Sequence, residues 1–373
     1  MRVLVYGAGA IGSFLGYLLA RAGHEVTLVG RPALTRIVRE QGLRLSVRVP
    51  PVPRSPAVGF GWTAGGEVFR EAEPASRANV VWPHTTESMA SLPAEERLWD
   101  LALLTVKVYD TWEATRDLAA FLPTGTPVLL VQNGVGGEEL ARQAHPPAHV
   151  ISGVLTMSVS VSGPGQICLE TSSGGLNLAP ADASQSISRW AALFGSAGLR
   201  VATFRNYRSM KWSKLLLNLQ ANAIPAILDM DPGEEYRNPT LFAMEREAFL
   251  EALAVMRALN LRIVSFPNYP VRVLAWAMGH VPVPVLRPMM SRLVASGRGD
   301  KKPSLHLDLV SGRGQSEVRF LNGAVVDHAL QMGLPVPVNR ALLDTLLALQ
   351  EQRLCWDEFR HCPERLLSVV RGG

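Results

Sequence analysis

An α/β domain built on a parallel sheet, followed by an all-helical domain, is the fold class that this 373-residue chain predicts. Three observations point to it. Short β-branched runs alternate with helical patterns through the first half, a glycine turn joins the first run to the first helix, and long helical patterns take over beyond residue 205. Length agrees, because single cores usually stop growing at about 250–300 residues and longer chains divide. We therefore expect one domain over 1–205, elaborated by a proline-rich segment at about 46–98, and a second over 206–373.

Composition excludes several classes. At 47% hydrophobic and 18% charged, the chain can bury large cores and is not disordered overall. Its 37 Lys+Arg exceed 32 Asp+Glu by only +5, and the longest basic run is Lys301 and Lys302, so a nucleic-acid partner is not expected. No uninterrupted apolar run is long enough to span a bilayer. Three cysteines, Cys168, Cys355 and Cys362, form no CxxC pair, and no His/Cys/carboxylate cluster suggests a metal. The apolar N-terminus is punctuated by glycines where a strand hands over to a helix, unlike a signal peptide. A cytoplasmic protein with reduced thiols is the expectation.

The elements follow in order. Residues 2–6 (RVLVY) and 25–29 (EVTLV) read as strands around a helix that runs through Ala22. Further strands are expected at 101–106, 127–131 and 150–161, with a helix at 111–121, and after 199–203 the character of the chain changes. Between Leu45 and Leu98, Pro50, Pro51, Pro53, Pro56, Pro74, Pro83 and Pro93 interrupt any long helix, which predicts a surface elaboration with short strands. Helices are expected at 207–228, 239–259 and 342–355, and a second proline-rich stretch, 267–288, should interrupt the helical half.

The turn Gly7-x-Gly9-x-x-Gly12 has the context that dinucleotide binding requires. Gly7 permits the tight turn, Gly9 lets backbone approach a pyrophosphate, and Gly12 allows close helix–strand packing. The N–H groups of Ala10, Ile11 and Gly12 open the helix toward the phosphates, which makes the first domain Rossmann-type. At the end of the second strand stands Arg31, with no acid before Glu40. A guanidinium pairs with a 2′-phosphate, so NADPH is the favoured cofactor. The other reading of Arg31 is stacking on adenine or plain solvation. Lys107, after the strand LALLTV, and Asn133, after PVLLV, lie where ligands of open α/β sheets sit; a surface lysine and an Asn-Gly turn are the bland readings.

In the second half, Lys214, Asn218 and Asn222 recur every four residues, a spacing that places them on one face of a helix within roughly 80°. Leucines surround them, so the stripe either stays wet or hydrogen-bonds a small ligand. Pro225 should bend or end that helix. Downstream, Ser304 and Asp308 are four apart, and Glu317 opens the pattern EVRFLNGAVVDHAL with Ser316 available as its cap.

These residues together resemble the ketopantoate reductases (2-dehydropantoate 2-reductases). The resemblance rests on GAGAIG, Arg31, the lysine after LLTV, VQNG, the K-x-x-x-N-x-x-x-N helix and the PS…D…SEV…LNG segment. It implies an N-terminal Rossmann domain, a helical second domain, and reduction of the 2-oxo acid 2-dehydropantoate to pantoate by NADPH in the pathway to pantothenate and coenzyme A. It also implies roles: Lys214 as general acid, with Glu317 assisting; Asn218, Asn222 and Ser304 on the substrate; and Lys107 and Asn133 lining the cofactor and near the substrate. Glu317 counts in addition among the cofactor contacts, and a homodimer is an assembly that such two-domain dehydrogenases often form. The chain departs from the family at Asp229-Met-Asp231-Pro232-Gly233, where a further asparagine is usual, and in the length of the 304–317 loop. These departures bear on which 2-oxo acid is reduced. A reductase of another 2-oxo acid and a non-catalytic NADP-binding sensor remain as alternatives, though a sensor needs neither Lys214 nor Glu317.

Overall fold

Parallel strands require a crossover, and the first 29 residues supply it: β1 (Arg2–Tyr6) turns into α1 (Ala10–Arg21) and returns as β2 (Glu25–Val29), paired parallel with Val3 opposite Val26. The computed structural model describes residues 1–48, 79–146, 149–171, 173–182, 185–298, 302–312 and 314–372. The chain divides into two compact units. Unit one comprises Met1–Gln132, Gly137–Tyr207 and Phe266–Tyr269; unit two comprises Asn133–Gly136, Arg208–Ser265 and Pro270–Gly373.

Unit one continues with α2 (Pro32–Gln41), β3 (Leu43–Val47), β4 (Val80–Val81), β5 (His84–Thr86), β6 (Leu101–Leu104), α3 (Thr111–Phe121), β7 (Pro127–Val131) and α4 (Gly137–Ala144). There follow β8 (His149–Leu155), β9 (Val159–Gly163), β10 (Gln166–Leu169), β11 (Leu176–Pro180), α5 (Ser188–Ser196) and β12 (Val201–Thr203). The main sheet has eight strands in the order β12-β11-β8-β7-β6-β1-β2-β5. All its pairs are parallel except β8–β11.

Alternate residues of its central strands enter different cores. Val3, Val5, Leu101, Leu103, Leu129 and Val131 pack with Phe14, Leu15 and Leu18 of α1, while Leu4, Ala102, Leu104, Val128 and Leu130 pack with Ala114 and Leu118 of α3. A sheet covered on both faces explains why these strands read as continuous apolar runs. Each buried large apolar side chain contributes roughly 1.5–3 kcal/mol.

One expectation for this unit is corrected. The single strand at 150–161 is two strands in two sheets: the first ladder ends where the Gly175 N–H turns to the Thr156 side chain (Oγ1, 3.0 Å) instead of its carbonyl, and two residues on Ser158 O already accepts the Glu170 N–H (2.8 Å) in register with the second sheet. β9 belongs to a second, four-stranded sheet ordered β4-β3-β10-β9, in which β3 and β10 are parallel. Of the proline-rich elaboration, the described part does form short strands, and β5 joins the main sheet beside β2; Pro50, Pro51, Pro53, Pro56 and Pro74 lie outside the described residues.

Unit two is helical: α6 (Tyr207–Leu219), whose first residue falls in unit one, α7 (Ala223–Leu228), α8 (Pro232–Arg237), α9 (Pro239–Ala258), α10 (Val271–His280), α11 (Val283–Arg298), α12 (Ser304–Val310), α13 (Asn322–Gln331), α14 (Pro337–Gln350) and α15 (Pro363–Gly372). Asn238 starts α9 by accepting the N–H groups of Thr240 and Leu241, with Pro239 at the first helical position. The 267–288 stretch holds all of α10 and the start of α11 rather than an interruption: Pro270 and Pro282 precede the two helices, Pro284 lies in the first turn of α11, and Pro288 alone stands inside a helix. The last long helix starts earlier than expected, at Pro337. There the Glu251 carboxylate accepts the backbone N–H groups of Val338 and Asn339, both at 2.9 Å, and serves as a cap from another helix. Among the described residues no helix is long and apolar enough to cross a membrane.

Candidate active site

In unit one, the glycine turn is built by close backbone contacts. The N–H groups of Gly7 and Ala8 donate to Val29 O at 3.2 and 3.0 Å, which anchors the turn to the end of β2. Gly7 has φ 99°, a left-handed conformation that suits glycine. A Cβ on Gly12 would lie 2.4 Å from both Gly7 O and Thr105 Oγ1, and Thr105 Oγ1 donates to Gly7 O at 2.7 Å. A Cβ on Gly9 would meet nothing within 4 Å, so space stands open in front of the turn. Ser13 N–H makes the first helical bond, to Gly9 O; no side chain caps α1 and no acid lies in its first turn. Ala10, Ile11 and Gly12 thus begin a helix whose N-terminus suits an anion. Residues and space fit a dinucleotide pyrophosphate.

Arg31 is the residue before α2, in extended backbone and with no capping bond from its side chain; it is exposed and follows directly on Gly30, whose N–H donates to Thr86 O. Lys107 is half-buried just after β6.

In unit two, the polar stripe differs from the expectation. α6 ends at Leu219, before Pro225, and Ala221 takes left-handed backbone with φ 49°. The buried Glu245 of α9 brings this about: both carboxylate oxygens accept the Ala221 N–H at 2.9 Å, and the Tyr236 hydroxyl donates to the same group. Pro225 then falls in the first turn of α7, where its missing N–H costs nothing. Lys214 and Asn218 remain half-buried one turn apart on α6, whereas Asn222 leaves the stripe and becomes the residue before α7.

Asn222 links several of the candidates. Its Nδ2 donates to Asn218 O at 3.0 Å, and its Oδ1 accepts the Leu305 N–H at 3.2 Å and the Ser304 hydroxyl at 3.3 Å. Asn218 Nδ2 in turn donates to Asn133 Oδ1 at 3.4 Å. Asn133, Asn218, Asn222 and Ser304 therefore form one connected set. The Asn133 loop is fixed by Val135 N–H donating to Phe320 O at 3.0 Å, and a Cβ on Gly134 would lie 2.7 Å from that oxygen.

Glu317 is 3% exposed, and its N–H donates to Asp308 Oδ2 at 3.1 Å. Ser316 accepts the Val318 N–H as expected of a cap, but what it starts is a short 3-10 turn, Glu317–Phe320, not a continuous helix. α13 begins separately at Asn322. Sequence reasoning missed Thr105 and Glu245. Thr105 stood in the quoted LLTV, whereas Glu245 carried no signal beyond an acid inside an apolar helix. Among the described residues no His/Cys/Asp/Glu group could hold a metal.

A glycine turn shaped for a dinucleotide and a lysine beside amides on a helical unit define a nicotinamide-dependent oxidoreductase with a Rossmann-like domain. The family model described as Ketopantoate reductase PanE/ApbA matches residues 3–183, and that of its C-terminal domain matches residues 206–350. The chain belongs to the ketopantoate reductase family. It is 29% identical over 356 residues to the 2-dehydropantoate 2-reductase of Halobacterium salinarum, covering 94% of this chain and 99% of that one. With the enzyme of that name from Pyrococcus horikoshii it shares 25% over 342 residues, 91% and 94% of the two chains. The crystal structure of a PanE/ApbA family ketopantoate reductase from Ralstonia eutropha JMP134 superposes with a TM-score of 0.73 at 27% identity, covering 95% of this chain and 99% of that one. D-mandelate dehydrogenase with NADH and anilino(oxo)acetate gives the same TM-score, 0.73, at 20% identity over 94% and 99% of the chains, a likeness of fold.

Proposed function

We propose that the chain reduces 2-dehydropantoate to pantoate with NADPH, the first domain, 1–205, holding the cofactor and the second, 206–373, acting on substrate. The observation that carries this reading is the connected set Asn133, Asn218, Asn222 and Ser304, with Lys214 one turn before Asn218 on the same helix. The family membership and the relatives' names support the substrate assignment.

Gly7, Gly9 and the N–H groups of Ala10, Ile11 and Gly12 would hold the pyrophosphate, Arg31 the 2′-phosphate, and Lys107, Asn133 and Glu317 the rest of the cofactor. When bound, the reduced nicotinamide supplies a hydride to the keto carbon. The chain's task is the oxygen, where negative charge develops. Lys214 as an ammonium stabilises that charge and hands over the proton that completes the hydroxyl. Glu317 assists, being a buried carboxylate able to hold the lysine in its charged form. Asn218 orients the substrate's oxygens, and Ser304, held by Asn222, meets the carboxylate end.

The test is cofactor oxidation with a panel of 2-oxo acids, using NADPH and NADH in parallel. Lys214→Ala is expected to lower kcat by about 10²–10⁴-fold with NADPH affinity nearly unchanged; surviving turnover refutes the general acid. Arg31→Ala is expected to weaken NADPH far more than NADH, and equal losses refute the 2′-phosphate contact. Activity confined to another 2-oxo acid would move the substrate assignment and leave the chemistry in place.

A further inference from the structure

Two residues beyond Ser304, α12 carries a histidine that the proposed chemistry leaves unused. His306 is 8% exposed, and its Nε2 lies 2.7 Å from Asp229 Oδ1, so the ring N–H donates to the carboxylate. Its Nδ1 is buried with no hydrogen-bond partner among the described residues. Asp229 closes α7 in left-handed backbone, φ 49°, at the opposite end of that helix from Asn222.

α7 and α12 are thereby tied twice. Asn222 takes the Leu305 N–H and the Ser304 hydroxyl, and Asp229 takes His306. The other oxygen of Asp229 lies 3.4 Å from Arg360 Nε, and the Arg360 guanidinium lies 4.3 Å over the Trp356 ring. Trp356 Nε1 donates to Ile227 O at 2.8 Å, and the His361 N–H to Leu228 O at 2.8 Å. Segment 355–362 thus occupies carbonyls of the last turn of α7, which such short helices leave without internal partners.

The helices concerned have six and seven residues, too short to hold their own shape, so cross-ties decide where they lie. The Ser304–Asn222 bond is already long at 3.3 Å. A small slip of α12 would break it and turn the serine hydroxyl elsewhere.

We infer that His306 is a positioning residue: with Asp229 and Arg360 it fixes α12 against α7, so that Ser304 and Asn222 offer a preset hydrogen-bonding surface to a carboxylate-bearing substrate. It governs affinity for that substrate and not the chemical step. The role in affinity rests on the proposed reduction of a 2-oxo acid; the role in fixing α12 does not.

The experiment compares the full-length parent with His306→Leu and His306→Gln in steady-state kinetics, NADPH titration and hydrogen–deuterium exchange over 302–312. His306→Leu is expected to raise KM for the 2-oxo acid about tenfold, the factor equivalent to one buried charge-assisted hydrogen bond. Turnover and NADPH affinity should stay near the parent's, and the amides of α12 should exchange faster. His306→Gln, whose amide nitrogen can replace the ring Nε2, is expected to restore most of both effects. Should His306→Leu not fold, Arg360→Ala is expected to move KM and exchange in the same direction by a smaller factor. An unchanged KM, or a loss confined to kcat, overturns the role in affinity, and unchanged exchange in α12 overturns the positioning itself. If the parent reduces no 2-oxo acid, the functional reading has failed, and the exchange data still decide whether His306 fixes α12.

Discussion

Replacing Glu245 with alanine is expected to cost the helical unit about 3 kcal/mol, because it leaves a buried N–H without its acceptor and opens a cavity. The carboxylate is 3% exposed and takes the Ala221 N–H on both oxygens at 2.9 Å. Stranding such a donor costs about 1–3 kcal/mol. The Tyr236 hydroxyl is a smaller loss, since Gln220 Oε1 stands 3.0 Å away and can accept its hydrogen bond. The deleted side-chain atoms leave space that their neighbours refill only in part, while relief from burying a charge offsets some of the cost. At about 2–4 °C per kcal/mol for a domain of this size, the unit should melt about 6–12 °C lower in calorimetry. Glu245→Gln keeps one acceptor for Ala221 and should lose about half as much. Ala221→Gly is the converse control: φ 49° suits glycine, so it should leave the melting temperature unchanged or raise it. A shift under about 2 °C for Glu245→Ala would refute the claim that this carboxylate holds the break between α6 and α7.

Substitutions in the glycine turn should separate folding from binding. Gly9→Ala places a Cβ in open space, so its melting temperature should match the parent's while NADPH binding weakens; Gly12→Ala drives a Cβ to 2.4 Å from Gly7 O and should damage both. Fluorescence titration beside thermal melts reads the difference, and unweakened binding in Gly9→Ala would refute the pyrophosphate assignment. Glu251 supplies a pH prediction: burial pushes its carboxyl up from the ordinary 4.5, against the N–H donors of Asn339 and Val338. The folded state thus holds this proton more tightly than the unfolded state, so the contribution is fullest below 4.5 and is lost as pH rises through the raised value. Relative to Glu251→Gln, the parent should therefore lose melting temperature with rising pH over that window. A difference that stays flat or grows would contradict it.

What was legible in the sequence was local. β1, β2, β7 and α3 lie at the residues expected, because β-branched runs, a glycine turn and 3.6-residue periodicity act within a few positions. The second sheet was not legible, since it pairs Ile167 with Leu45 across a long stretch of chain, and no pattern in either strand names its partner. Nor was the antiparallel β8–β11 pair, which arises because the chain detours through β9 and β10 before returning beside β8. The prolines of 267–288 misled for a related reason. Composition counts breakers, but a proline at a helix start breaks nothing.

The break after Leu219 matters most for function, because it changes what the asparagines can do. On an unbroken helix Lys214, Asn218 and Asn222 would be equivalent ligands along one face. In the structure both lone pairs of Asn222 Oδ1 are taken by Leu305 and Ser304, and one of its two amide hydrogens goes to Asn218 O. Counted over the described residues, one hydrogen remains for any substrate. On the same count Asn218 spends a single amide hydrogen, on Asn133, and so keeps the larger hydrogen-bonding capacity. Loss of Asn218 should therefore act on the substrate directly, whereas loss of Asn222 should act largely through Ser304 and the seating of α12. The two positions that looked alike as letters four apart carry different work, and the difference is imposed by an acid, Glu245, 24 residues further along the chain from Ala221.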